Sequence, residues 1–260
     1  MFAQLAALFP EAPIYTALYD RARLGDLFPP ARVHVSPLDR IPGAHRAFRL
    51  LAPLYPRAFE AFDLRAFDLV ISSTTAWAKG IRFRSDAVHV SYLHTVSRFA
   101  YDYDAYVGGF GLGRLARPLV APLVAWDRAA AQRPTALVAS SRNAAARIAR
   151  WYAREAQVVY PPVDLERFPV GSGGGPFVVV ARLLPYKRVD LAIAACAALG
   201  LPLVVAGEGP ARRSLERLAR GTRTEFAGAL DDASVARLLG TARAEIVAGE
   251  EDFGLVALEA

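Results

Sequence analysis

The sequence predicts an α/β protein built from two parallel-sheet domains. Three observations carry this. Short β-branched runs stand between Ala/Leu/Arg segments of helical period. The two kinds alternate along the chain, which is the pattern of parallel sheets covered by helices on both faces. A Pro- and Gly-rich stretch, YPPVDLERFPVGSGGGP at residues 160–176, divides the pattern in two.

Before the divide, PIYTALY (13–19), RVHVSPL (32–38), FDLVISS (67–73), AVHVSYLH (87–94), TALVASS (135–141) and AQVVY (156–160) read as strands. GRLARPLVAPLVAWDRAAAQ (113–132) has helical period, with Pro118 and Pro122 expected to kink or split it. SRNAAARIARWYAREA (141–156) is a helix with Ser141 as its N-cap. After the divide come the strands FVVVARL (177–183), PLVVAGEG (202–209), RTEFAGAL (223–230) and RAEIVAG (243–249). Between them lie the helices KRVDLAIAACAALG (187–200), PARRSLERLARG (210–221) and DDASVARLLGTA (231–242). Asp231 caps the last of these, and Gly200 and Gly221 are stops. The expected organisation is one domain over 1–165, a linker over 166–176 and a second domain over 177–260. Ligands are expected at strand C-terminal ends, in a cleft between the two.

Composition excludes several classes. A hydrophobic fraction of 54% with 19 Gly and 18 Pro belongs to a folded chain, not a disordered one. No apolar run approaches the ~18 residues needed to span a bilayer. The single cysteine, Cys196 in LAIAACAAL, excludes a disulfide framework and a cysteine metal site, and reads as a small core residue. No basic region followed by an apolar stretch opens the sequence, so a cytoplasmic location is expected.

Charge is uneven. Residues 1–160 carry 20 basic and 12 acidic residues, and residues 161–260 carry 11 and 13. The basic half suits the anionic face of an inner membrane or a phosphorylated substrate, and equally a solvated Arg-rich surface. Basic residues are not interleaved with aromatics, so no nucleic acid is expected.

Three stretches of the second half carry candidate chemistry, each after a predicted strand. In VVVARLLPYKRVDLAIAA, Arg182 and Lys187 stand before a helix, and two cations beside a helix N-terminus suit a diphosphate. In VVAGEGP, Gly207 and Gly209 would let backbone approach a ligand. In GEEDFGLVALEA, Glu251 falls on a strand–helix loop, Gly254 opens the helix, and Glu259 lies on its second turn. A loop carboxylate can take a hydroxyl, a helical one can clamp a diol, and amides near Phe253, Gly254 and Leu255 can cradle anions.

Taken together, Phe177 to Ala260 resembles the family 4 retaining glycosyltransferases of the GT-B fold, two Rossmann-like domains facing a cleft. Their hallmark Glu-x7-Glu corresponds to Glu251 and Glu259, preceded by the Arg/Lys pair Arg182 and Lys187. LFPEAPIYTALYD, DLVISSTTAWAKGI, VSYLHTVSRFAYDYDAY, VASSRNAAARIARWY and VVYPPVDLERF resemble the branch acting on bacterial surface polysaccharides, O-antigen mannosyltransferases included. The resemblance implies a hexose (mannose or glucose type) moved from a nucleotide-diphosphate sugar to a glycan or lipid-linked acceptor. It implies no cofactor and no metal ion.

It further implies that Arg182 and Lys187 hold the donor diphosphate. Glu251 and the backbone of Phe253 to Leu255 would meet the donor sugar, Glu259 the ribose, and Gly228, Ala229 and Leu230 the base side. His94 in YLHTVSRF would serve the reaction centre, with Lys79, Arg98 and Tyr101 on the acceptor side. Val96 stands where relatives carry proline, and is expected to loosen that loop. The resemblance also implies that both domains are incomplete, one lacking a first strand and the other its C-terminal part, so that the stretch alone would be inactive. The alternative is a non-catalytic nucleotide-sugar-binding remnant. A two-domain epimerase would not need the Arg/Lys pair, and a phosphorylase would need a pyridoxal lysine.

Overall fold

The computed structural model describes residues 2–103, 117–168 and 170–260. It divides into two compact units, Met1–Tyr101 with Leu119–Pro161, and Asp102–Pro118 with Pro162–Ala260.

The first unit contains α1 (Phe2–Leu8), β1 (Ile14–Thr16), α2 (Arg21–Leu24), β2 (Val33–Val35), α3 (Tyr55–Glu60), β3 (Leu69–Thr74), β4 (Val88–Leu93) and α4 (Arg98–Tyr101). It continues with α5 (Arg117–Ala130), β5 (Ala136–Ala139), α6 (Arg142–Tyr152) and β6 (Gln157–Val158). The strands β3-β4-β5-β6 form one parallel sheet in that order, and β1 pairs in parallel with β2. Val90 of β4 sits opposite Ile71 on one side and Ala136 on the other. Leu93, Val96, Leu137, Ala139, Ile148 and Tyr152 close the core beneath. Val96 is fully buried there, so its loop is packed and not loosened.

Two local expectations are worth following. Ser141 caps α6 by accepting the Ala144 N–H. The stretch with two prolines stays one helical span, α5, with Pro118 in its first turn and Pro122 inside. A first-turn proline loses no intrahelical bond, because its N–H would be unpaired there anyway. Residues 113–116 of that predicted helix lie outside the described residues.

A cavity of about 410 Å³ touches every residue from Pro13 to Thr16 and from Leu69 to Thr74. Successive strand residues point to opposite faces, so a cavity touching each in turn lies along the strand edges of β1 and β3. Phe2, Leu5, Phe9 and Phe67 also line it.

The second unit contains β7 (Phe177–Val180), α7 (Val189–Ala198), β8 (Leu203–Ala206), α8 (Arg212–Leu218), β9 (Thr224–Gly228), α9 (Asp232–Thr241), β10 (Ala244–Glu245) and α10 (Leu255–Glu259). Its parallel sheet runs β10-β7-β8-β9. Val179, Leu183, Ile193, Cys196, Leu203 and Val205 form the core, Cys196 buried as a small apolar residue. Asp231 caps α9 by accepting the Ser234 N–H. The predicted strand 243–249 pairs only over its second and third residues, Ala244 opposite Phe177 and Glu245 opposite Val178. Ile246 N–H still donates to Val178 O at 2.8 Å, and the chain then crosses the Lys187 turn at Gly249.

Candidate functional site

In the second unit the candidate site lies where the chain leaves β7. Residues Ala181 to Leu184 turn outward, and Pro185–Lys187 form a 3-10 turn. Arg188 then takes a left-handed conformation at φ 52°, and α7 begins. Lys187 is thus set beside a helix start, where free N–H groups favour anions.

The glycines of VVAGEGP serve this turn. A Cβ on Gly207 would stand 1.9 Å from the Ala181 carbonyl oxygen, and one on Gly209 2.4 Å from that of Leu183. Both glycines therefore let the β8 exit pack against the loop bearing Arg182. Backbone bonds tie the two together, from Leu183 N–H to Glu208 O (2.9 Å) and from Ala211 N–H to Leu183 O (3.0 Å). Gly249, unremarked in the sequence, does the same from the other side. Its Cβ would meet Tyr186 O at 2.6 Å and Lys187 Cα at 2.7 Å.

Lys187 Nζ donates to both oxygens of Glu251, at 2.5 and 2.7 Å. The pair lines a cavity of about 230 Å³ together with Arg182, Glu245, Gly254 and Leu255. Gly254 opens α10 in a left-handed conformation, φ 79°. Arg182 is exposed and makes no ion pair among the described residues. Chemically this is one free guanidinium and one ammonium held by a carboxylate.

Other candidates do not line that cavity. Glu259, on α10, is partly buried. Burial raises its carboxyl above the usual range, with Arg167 opposing and Asp232 adding to the rise. Phe253 is also absent from the lining, as are Gly228, Ala229 and Leu230 at the end of β9. Gly228 has φ 73° and accepts the Gly207 N–H at 2.7 Å. Glu245 is the residue the sequence reading missed. Its signal was a carboxylate inside a β-branched run, where Glu is depleted.

In the first unit, His94 directly follows β4. Its N–H donates to Thr74 O (3.1 Å), its Nε2 lies 2.9 Å from Ser73 Oγ, and its carbonyl accepts the Ser140 hydroxyl at 2.7 Å. Burial holds the imidazole below its ordinary range, which favours its neutral form.

The acceptor-side assignment of Lys79 and Tyr101 is corrected. Lys79 and Asp127 are both fully buried, and their Nζ and Oδ1 are 2.5 Å apart. The Ser97 hydroxyl donates to the same oxygen at 2.7 Å, and the Tyr101 and Tyr152 hydroxyls donate to Oδ2 at 2.9 and 2.7 Å. Lys79 also donates to Ala76 O. An ammonium turned inward onto a buried carboxylate presents nothing to an acceptor. Tyr101 spends its hydroxyl on Asp127 and stacks on Trp151 at 4.8 Å. Arg98, on α4, stays partly exposed.

The fold is GT-B, as comparison with solved structures shows. Sucrose-phosphate synthase from Thermosynechococcus elongatus superposes with a TM-score of 0.60 at 20% identity, over 88% of this chain and 62% of that one. A glycosyltransferase involved in avilamycin A biosynthesis superposes at 0.51 and 15%, over 95% and 60%. At such identities the likeness is one of fold.

The family model "Glycosyltransferase Family 4" matches residues 4–167, and "Glycosyl transferases group 1" matches residues 166–260. This chain belongs to the family 4 glycosyltransferases. It is similar to the GDP-mannose-dependent alpha-(1-6)-phosphatidylinositol dimannoside mannosyltransferase of two Mycobacterium tuberculosis strains, 45% identical over 85 residues. That match spans 30% of this chain and 22% of the relative.

Proposed function

We propose that this chain binds a nucleotide-diphosphate sugar in the second-unit cavity. It passes the hexose, with retained configuration, to a glycan or lipid-linked acceptor in bacterial surface polysaccharide synthesis. The observation that carries the reading is the meeting of Arg182, Lys187 and Glu251 around one cavity beside the start of α7. Arg182 and Lys187 take the diphosphate and stabilise its charge as it leaves, aided by the helix start. Glu251, freed from Lys187 by the phosphate, accepts hydrogen bonds from the donor sugar. Glu259 is assigned to the ribose and the Gly228–Leu230 segment to the base side, both from family resemblance. His94, its neutral form favoured by burial, is assigned to the reaction centre on the same ground. GDP-mannose is the first donor to test, since the mycobacterial relative is named for it. The net positive charge of residues 1–160 favours a lipid-linked acceptor at an anionic surface.

The test is calorimetric titration of GDP into wild type and Lys187→Ala, with GDP release from GDP-mannose followed in parallel. A charged hydrogen bond contributes about 1.5–3 kcal/mol, so the variant should lose roughly tenfold or more in affinity. Equal affinity in the two proteins would remove the diphosphate site from this cavity.

A further inference from the structure

One group on the cavity wall has no part in that reaction. Glu245 ends β10, opposite Val178, where the ladder with β7 stops. Its Oε2 is buried and has no hydrogen-bond partner among the described residues. A buried carboxylate oxygen without a donor is costly as an anion, whereas the acid form carries a proton of its own.

The charged groups facing Glu245 are Glu251, Glu259 and Lys187, with Arg182 on the same cavity wall. Lys187 is engaged by Glu251. Burial first, then Glu251 and Glu259, pushes the Glu245 carboxyl up to about 7, against the pull of Val180 N–H and Lys187. While Glu245 is neutral, Arg182 and Lys187 outweigh Glu251 and leave the cavity positive. An ionised Glu245 cancels that excess.

We propose that Glu245 controls the anion affinity of this cavity through its proton. Protonated, it admits a diphosphate, and ionised, it repels one. This rests on the nucleotide-sugar reading above. Linkage supplies its signature. A bound diphosphate favours the neutral acid, so binding takes up a proton at pH values where the free carboxyl is ionised.

The experiment titrates GDP, and separately UDP, into wild type and Glu245→Gln at about pH 6 and about pH 8.5, in buffers of different ionisation enthalpy. Wild type should lose about tenfold in affinity across the range relative to the variant, and should take up protons at the higher pH. Glu245→Gln should show neither effect. Ionisation of the nucleotide itself is common to both proteins and cancels in the comparison. Matching pH profiles and proton counts in the two would overturn the proposal, as would no proton uptake by wild type, whatever the variant does. If neither GDP nor UDP binds to either protein at the lower pH, the nucleotide reading is rejected, and this inference with it. Binding without a Glu245-dependent profile rejects this inference alone.

Discussion

Asp127 is the residue whose removal should cost the first unit most. Its fully buried carboxylate accepts from Lys79, Ser97, Tyr101 and Tyr152. Asp127→Ala leaves the Lys79 ammonium with the Ala76 carbonyl and the face of the Tyr152 ring, and no counter-charge. Removing one partner of a buried pair costs about 3–5 kcal/mol. The Tyr101 and Tyr152 hydroxyls also lose their acceptor, at about 1–3 kcal/mol for each that stays unsatisfied, while Ser97 keeps the Thr75 carbonyl. The total, roughly 5–10 kcal/mol, reaches the whole stability of an ordinary domain, about 5–15 kcal/mol. Lys79→Met should be milder, about 2–4 kcal/mol, because Asp127 keeps three hydroxyl donors that stabilise its charge. Urea unfolding followed by far-UV circular dichroism reads both variants. The fluorescence of Trp77 and Trp126, whose ring centroids are 5.8 Å apart in the same unit, gives a second probe. A wild-type midpoint for Asp127→Ala, or a larger loss for Lys79→Met, would refute the argument.

Further outcomes follow from single contacts. Gly249→Ala drives a methyl into the Tyr186–Lys187 backbone, so GDP affinity should fall several-fold while far-UV dichroism stays unchanged; unaltered affinity would mean the turn does not position Lys187. Ser141→Ala removes the cap of α6 and should cost about 1 kcal/mol in urea unfolding, a loss that Ser141→Asp should largely avoid. The basic first half should bring the chain down with anionic liposomes at low salt and not with neutral ones, each basic group near the surface adding about 1 kcal/mol. Equal sedimentation with both would detach the membrane from the proposed role.

What could be read in the sequence was what local physics decides. Strand and helix assignments rested on period, and Ser141 and Asp231 were legible as caps because a cap bonds to an N–H three residues on. The Arg/Lys pair and the spaced glutamates were visible as motifs, since each lies within one strand–loop–helix unit. Tertiary structure decided what depends on distant partners. Lys79 was placed on the acceptor side by resemblance, but the chain brings Asp127, 48 residues away, against its Nζ. Lys187 and Glu251 were given separate tasks, yet they hold each other across 64 residues. Gly207 and Gly209 were read as facing a ligand, but the space they free is filled by the Arg182 loop. Glu245 passed as an ordinary strand residue, because only the packed sheet shows that one of its oxygens is buried without a donor. Composition and period report the environment a residue prefers, and they name its neighbours only a few positions along the chain. Which charge meets which, and which group loses its water, is set when the sheets close.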